Sequence, residues 1–253
     1  MSSADIEIHD LAKRYTLRRG VVVEAIHHLG LTVPAGEFLA IVGPSGCGKS
    51  TLLHLVAGLE RPSSGSVRIG GAAPEDLARR HRLGIAFQDS ALLPWLSVQS
   101  NLALPFKIAG LPVDQTKIGS LIELVGLKGF ERARPSQLSG GMRQRAAIAR
   151  SLCLDPDVLL LDEPFGAVDA VTRRRLNIEL ERIWRDRAIT TLLVTHSVEE
   201  ALFLSDRTIV MEKPGAIAQV VEVPFSRPRS PELLREEEFH RLTDQITVLL
   251  QPS

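Results

Sequence analysis

Two cysteines, Cys47 and Cys153, are too few for a disulfide framework, and that scarcity points to a reducing compartment. No run of about eighteen apolar residues occurs, so the sequence offers no membrane-spanning helix. The opening stretch "MSSADIEIHDL" alternates polar and apolar residues and has no apolar signal-peptide core. Net charge is absent too. Thirty Lys and Arg balance thirty Asp and Glu, so no overall field draws the chain to nucleic acid or anionic lipid. Zinc-ligand spacings, heptad runs, internal repeats and low-complexity segments are also missing. What is there is 253 residues, 44% hydrophobic and 24% charged. That suits one large α/β domain, or a core domain with an inserted subdomain.

Strand-like segments come first: "IEIHDL" and "VVVEAI" about a polar "RRG" turn, then the short buried run "EFLAIVG" (37–43). A helix is expected from Lys49 through Ala57, then strands at "SVRIGG" and "LGIAFQ" (83–88). From Leu92 to Leu154 the pattern turns helical, in "VQSNLALPFKIA", "QTKIGSLIELVGL" and "GGMRQRAAIARSLCL". A buried strand "DVLLLDEP", a long amphipathic helix "AVTRRRLNIELERIWRDR" and an apolar strand "ITTLLVTH" follow. This order predicts a mostly parallel α/β sheet with an inserted helical block at about 90–155. The domain is expected over 4–225. Residues 226–253 are expected to form a short tail, its "REEEFHR" run a solvated helix face.

"GPSGCGKST" (Gly43, Pro44, Ser45, Gly46, Cys47, Gly48, Lys49, Ser50, Thr51) fits G-x-x-x-x-G-K-[ST] between a strand and a helix. Glycines let backbone N–H groups wrap phosphates, and the helix N-terminus adds the positive end of its dipole. Lys49 is placed for the β- and γ-phosphates, and Ser50 for Mg²⁺. Cys47 reads as a small filler whose backbone matters more than its thiol. A glycine-rich turn without ligand is the weaker alternative.

The loop alone says only that a nucleoside phosphate binds. "VLLLDEP" (158–164) adds a strand buried on both faces with Asp162 at its tip, suited to organising Mg²⁺. Glu163, one residue on, is placed to polarise an attacking water. "LSGGMRQR" (138–145) sets Ser139, Gly140 and Gly141 just ahead of a helix, a second anion site or an ordinary cap. One ATP needs only one such cradle. With these three elements the chain resembles the ATP-binding-cassette ATPases, from about Ile6 to Val223.

The resemblance implies a P-loop NTPase (RecA-like) core, an N-terminal antiparallel β subdomain and an inserted α-helical subdomain. It implies that two subunits sandwich two ATPs, so that Ser139 and Gly141 act across the dimer. Gln88 takes the family's Q-loop position beside Mg²⁺ or water, and His196 in "VTHS" the position that contacts the γ-phosphate. Asp169 in "FGAVD" matches the loop crossing the dimer interface, although Gly166 and Val168 depart from the usual Ser-Ala-Leu-Asp. Tyr15 in "LAKRYTL" matches the aromatic that stacks on adenine, a core tyrosine being the alternative. Lys49, Mg²⁺, Ser139 and His196 would stabilise the γ-phosphate oxygens, with Glu163 as general base. His27, His28, "RRR" (173–175) and "ARRHR" receive no role.

Three kinds of cassette protein are open: an importer ATPase, a cassette of an exporter or lipid-handling complex, and a cassette acting on nucleic acid. The third usually brings coiled coils, zinc modules or tandem cassettes, so no nucleic-acid partner is expected. "FQDSALLPWLSVQSNLALPFKIAG", "LSGGMRQRAAIARSL" and "DEPFGAVDAVTRRRL" resemble the nitrate, sulfonate, taurine and bicarbonate branch of importer ATPases. Glycine betaine and pyrimidine vitamin precursors are the alternative solutes. The implied partners are two permease subunits and an extracytoplasmic solute-binding protein, with the chain at the cytoplasmic face of the inner membrane. The apolar knot Leu92-Leu93-Pro94-Trp95-Leu96, behind Gln88, is read as part of the permease-docking cleft, with packing inside the helical block as the alternative.

Overall fold

Continuous apolar runs build the centre of the molecule. The computed structural model describes residues 3–17, 20–166 and 168–250. Arg18 and Arg19 of the expected turn, Ala167 of "FGAVD" and residues 251–253 lie outside the described residues. Three five-residue strands, β3 (Phe38–Val42), β6 (Val158–Asp162) and β7 (Thr190–Val194), are buried at every position. They lie in a six-stranded sheet with β5 (Leu83–Ala86), β8 (Arg207–Glu212) and β9 (Ala216–Glu222), in the order β5-β6-β7-β3-β8-β9. All neighbours are parallel except β8 and β9. A three-stranded antiparallel sheet is built from β1 (Ile6–Thr16), β2 (Val22–Val33) and β4 (Ser64–Ile69), with β1 in the middle.

The period-two alternation of the central strands sends their side chains into two cores. Leu39, Ile41, Leu160 and Leu192 join α1 (Lys49–Val56) and the inner face of the small sheet, where Ile6, Leu11 and Ile26 are buried. Phe38, Ala40, Leu159 and Leu193 face the opposite layer. That layer holds α3 (Val98–Ile108), α4 (Gln115–Leu124), α5 (Gly140–Ser151), α6 (Ala170–Arg187) and α7 (Val198–Leu204). One further short helix, α2 (Pro74–Arg79), follows β4. Caps mark several of these starts: Ser97, Asp114, Ser139, Asp169 and Ser197 each accept a backbone N–H of the helix they precede.

The strands at 207–222 and the helices α2 and α7 are not evident from the sequence pattern. The charged segment near the C-terminus carries more structure than a solvated face. Glu236, Glu237 and Glu238 are exposed, but α8 (Glu237–Leu249) buries Phe239, Leu242 and Ile246 in the same core as Phe38. The spacing of those three puts them on one stripe of the helix. Ahead of it, the Arg227 guanidinium lies 4.0 Å over the Trp184 ring and pairs with Asp206 at 2.8 Å. Buried Arg229 donates to the carbonyls of Leu202, Phe203 and Ser205, which close the end of α7. Phe239→Ala should lower the unfolding free energy by about 3–5 kcal/mol, measured by denaturant titration. A loss near zero would mean that α8 is not part of the folded unit.

Candidate functional site

The loop between β3 and α1 is shaped by backbone contacts too close for side chains. Gly48 has φ +106°, and a Cβ there would lie 2.3 Å from the Ala25 carbonyl oxygen on β2. A Cβ on Gly43 would lie 2.6 Å from the Met211 carbonyl on β8. Gly215, in the turn from β8 to β9, has φ +71° and would put its Cβ 2.0 Å from the same Ala25 oxygen. Only glycine fits at these positions. Cys47 is buried, and its sulfur occupies the space that a Gly43 side chain would need, in keeping with a filler. Lys49 is also buried, with its ammonium donating to the carbonyls of Gly43 (2.7 Å) and Pro44 (3.0 Å).

Opposite the loop stand the ends of β6 and β7. The Ser50 hydroxyl donates to Asp162 Oδ1 at 3.2 Å. Burial pushes the Asp162 carboxyl above its ordinary value, and the Ser50 hydrogen bond works against that rise. Glu163 adopts φ +44°, a left-handed conformation that costs a non-glycine residue about 1–3 kcal/mol. Its N–H donates to the Val194 carbonyl at 2.8 Å, which holds the turn. The turn brings Glu163 Oε2 to 3.2 Å from His196 Nδ1. Gly166 lies beside this carboxylate, where a Cβ would come 3.3 Å from Oε2.

A cleft of about 230 Å³ is thus lined by Ser45, Gly46, Gly48, Lys49, Ser50, Thr51, Glu163 and His196. Among the described residues, no group of three or more His, Cys, Asp and Glu converges into a protein cage for a metal. The Ser50 hydroxyl and Asp162 carboxylate are hard oxygen donors, the kind that takes Mg²⁺ with its other positions filled by phosphate and water. The residues present therefore fit the ion.

Of the other expected residues, Tyr15 reaches the cleft lining through a side-chain hydrogen bond with Thr51, while Gln88, Ser139, Gly140, Gly141 and Asp169 are not among the lining residues. Tyr15 is half-buried, with its hydroxyl donating to Glu60 Oε2 at 2.6 Å and the Lys13 ammonium 4.9 Å from its ring centre. Gln88 is exposed beyond the end of β5 and is not among the residues lining the cleft. Ser139 and Gly140 are exposed at the start of α5, while Gly141 is buried against Thr172 on α6. Asp169 caps α6, accepting from the N–H groups of Val171 and Thr172. Those backbone donors, Thr172 first, hold its carboxyl below the usual range.

The apolar knot divides. Leu92 is buried in the helical layer, Leu93 is half-buried, and Trp95 is 65% exposed. Asn101, to which the sequence motifs give no role, is fully buried and staples the loop. Its Oδ1 accepts from the Leu93 N–H, and its Nδ2 donates to the carbonyls of Leu93, Leu96 and Ser97. Arg150 and Gln144 lie within the stretch "LSGGMRQRAAIARSL", which gives neither of them a role. Arg150 donates to the Ala91 and Ser90 carbonyls, and Gln144 to that of Phe87, so both hold the segment that carries Gln88. An Asn inside the apolar stripe of "NLALPF" is the one signal of this in the sequence.

Because Gly215 shares the Ala25 carbonyl with Gly48, damage there should reach the loop. Gly215→Ala should cost more than about 2 kcal/mol of stability and weaken nucleotide binding together. Thermal unfolding and a fluorescent-nucleotide titration on the same protein check both effects.

Comparison with known proteins matches this geometry to a family. The family model for "ABC transporter" matches residues 26–166, more than half of the chain. The nitrate import ATP-binding protein NrtD of Synechococcus elongatus is 44% identical over 233 residues, covering 90% of this chain and 84% of that protein. The taurine import ATP-binding protein TauB of Roseobacter denitrificans is 42% identical over 241 residues, covering 93% and 88%. The aliphatic sulfonates import ATP-binding protein SsuB of Bacillus subtilis is 45% identical over 214 residues, covering 84% and 82%. Among solved structures, the dimeric post-hydrolysis state of the ATP-binding cassette MJ0796 bound to ADP and Pi superposes with a TM-score of 0.78 at 28% identity. That match covers 87% of this chain and all of the other. The chain therefore belongs to the ABC transporter family, as one of its ATP-binding, ATP-hydrolysing cassettes.

Proposed function

We propose that this chain is the ATPase subunit of an importer for a small anionic solute of the sulfonate, taurine, nitrate or bicarbonate type. The observation that carries the ATPase half is the cleft in which the P-loop, Ser50 and Asp162, Glu163 and His196 meet. The importer half rests on the likeness, over most of the chain, to the nitrate, taurine and sulfonate import proteins.

In this reading the loop amides and the N-terminus of α1 receive the phosphates. Lys49 Nζ exchanges its two loop carbonyls for phosphate oxygens. Ser50 and Asp162 would hold Mg²⁺, which when bound neutralises charge on the phosphate oxygens. Gln88 joins the site from the segment behind β5. Glu163 Oε2 takes a proton from the attacking water, and the His196 imidazole, held beside it, donates to the γ-phosphate. Tyr15 stacks on adenine near the end of β1. Ser139, Gly140 and Gly141 do not line their own chain's cleft, in accord with their acting on the nucleotide of a second copy. Asp169 contributes at the same dimer interface.

The permease surface takes in more than the knot. A groove of about 310 Å³ is lined by Leu59, His81, Leu83, Ile85, Pro105 and Ile108, with Leu59 and Ile108 themselves exposed. This groove and exposed Trp95 offer apolar surface suited to a short helix from a permease subunit. A solute-binding protein outside the membrane completes the assembly, and the cassette sits peripherally on the inner face. Among the described residues no helix is long and apolar enough to cross a membrane.

Two substitutions separate the chemistry from the coupling. Glu163→Gln should bind ATP and dimerise yet lose about a hundredfold or more in turnover, measured by phosphate release and size-exclusion chromatography with ATP. Wild-type turnover in that variant would overturn the role of Glu163. Trp95→Ala should keep ATP hydrolysis in the isolated chain while weakening permease association by about tenfold or more, measured by binding and transport in reconstituted vesicles.

A further inference from the structure

Glu200 is a carboxyl that the mechanism above leaves unused. It lies in the first turn of α7, is 3% exposed, and accepts a hydrogen bond from the Thr195 hydroxyl. The same hydroxyl accepts the Ser197 N–H at 3.0 Å, and the Ser197 hydroxyl accepts the Glu200 N–H at 3.3 Å. Thr195 is tied in turn to the sheet, where its N–H donates to the Ile41 carbonyl. The two residues flanking His196 are therefore both anchored through one buried side chain. His196 itself is exposed, and its ring is hydrogen-bonded to Glu163 at 3.2 Å.

Helix capping does not account for this carboxyl. Ser197 and Glu200 have the spacing of a capping box, in which the acid reaches back to the N-cap N–H and a glutamine serves as well. Here the Thr195 hydroxyl stands between the acid and that N–H. The other carboxyl oxygen of Glu200 is buried with no hydrogen-bond partner among the described residues, a placement that costs stability. Burial pushes the carboxyl up to about 7, against the Thr195 hydrogen bond. The charges that face it are Arg173 on α6, which favours the anion, and Glu163, which opposes it. Arg173 donates to the Phe165 and Val168 carbonyls. The acid thus lies where the loops at 163–168 and 195–197 meet.

We propose that Glu200 is a positioning residue for His196, fixing the backbone on both sides of the imidazole through the Thr195 hydroxyl and so setting its approach to Glu163 and the phosphate. The proposal rests on the reading of His196 as a catalytic group. Without the anchor, His196 keeps its chemistry but loses its aim.

The test is steady-state ATP hydrolysis by the full chain, with the His196 imidazole followed by NMR. Glu200→Ala should lower kcat by about ten- to a hundredfold with KM changed less than about twofold, and should shift or broaden the His196 resonance. Glu200→Gln, whose amide oxygen still accepts from Thr195, should restore both. Thr195→Val cuts the relay from its other end and should reproduce the loss even if the alanine variant fails to fold. In a His196→Ala background, Glu200→Ala should cost nothing further. Losses that multiply there would overturn the proposal, because they would come from general damage. So would native kcat and an unmoved His196 signal in Thr195→Val while His196→Ala is inactive. Wild-type turnover in His196→Ala would instead overturn the reading of His196, and this proposal with it.

Discussion

The site exists because backbone can approach backbone at Ala25. The carbonyl of this β2 residue comes closer to Gly48 and Gly215 than any Cβ permits. Gly48 sits at the mouth of α1 and Gly215 in the turn after β8. One oxygen therefore fixes the small antiparallel sheet, the phosphate loop and the far edge of the main sheet against one another. The Met211 carbonyl does the same for Gly43. A loop held this way keeps its amides pointed at a ligand without side chains of its own. Its shape is set by these backbone contacts rather than by side chains.

The carboxylates across the cleft obey a second constraint. β6 is buried along its whole length, so its backbone has no freedom to re-aim a side chain at its tip. Asp162 keeps the strand's direction and meets Ser50. Its neighbour must leave the strand at once, and Glu163 does so through a left-handed residue anchored on Val194. The strain turns two successive acids to different partners: one toward the hydroxyl at the start of α1, the other toward His196. Gly166 leaves room for the second, which gives a physical use to the glycine where the family usually has serine.

Much of this is legible in the sequence because it depends on local pattern. β3, β6 and β7 are unbroken apolar runs, and a strand buried on both faces reads that way. The phosphate loop is written in glycines at fixed spacing. β8 and β9 escape such a reading because each mixes polar residues into a short span, as in "RTIVME" and "AIAQVVE". α8 hides behind its own charges: the glutamates and arginines around Phe239 mask a stripe whose three apolar residues lie over two turns. Residues that act over distance leave little trace. Gln88 matches a motif, yet its place outside the cleft depends on Gln144 and Arg150, which lie about sixty positions downstream.

The apolar knot shows why a loop can resist a single assignment from sequence. Leucine and tryptophan in a row invite one answer, core or surface, for the whole group. The structure gives both, because the decision is made by a polar residue. Asn101 commits its amide to four backbone groups of the loop, and that fixes which way each neighbour turns. Leu92 goes down into the helical layer and anchors the segment. Trp95 is left outward, on a loop tied down by the Asn101 amide. The same loop is tied through Ala91 and Ser90 to Arg150, in the last turn of α5. The buried asparagine, more than the greasy residues around it, decides which of them face outward.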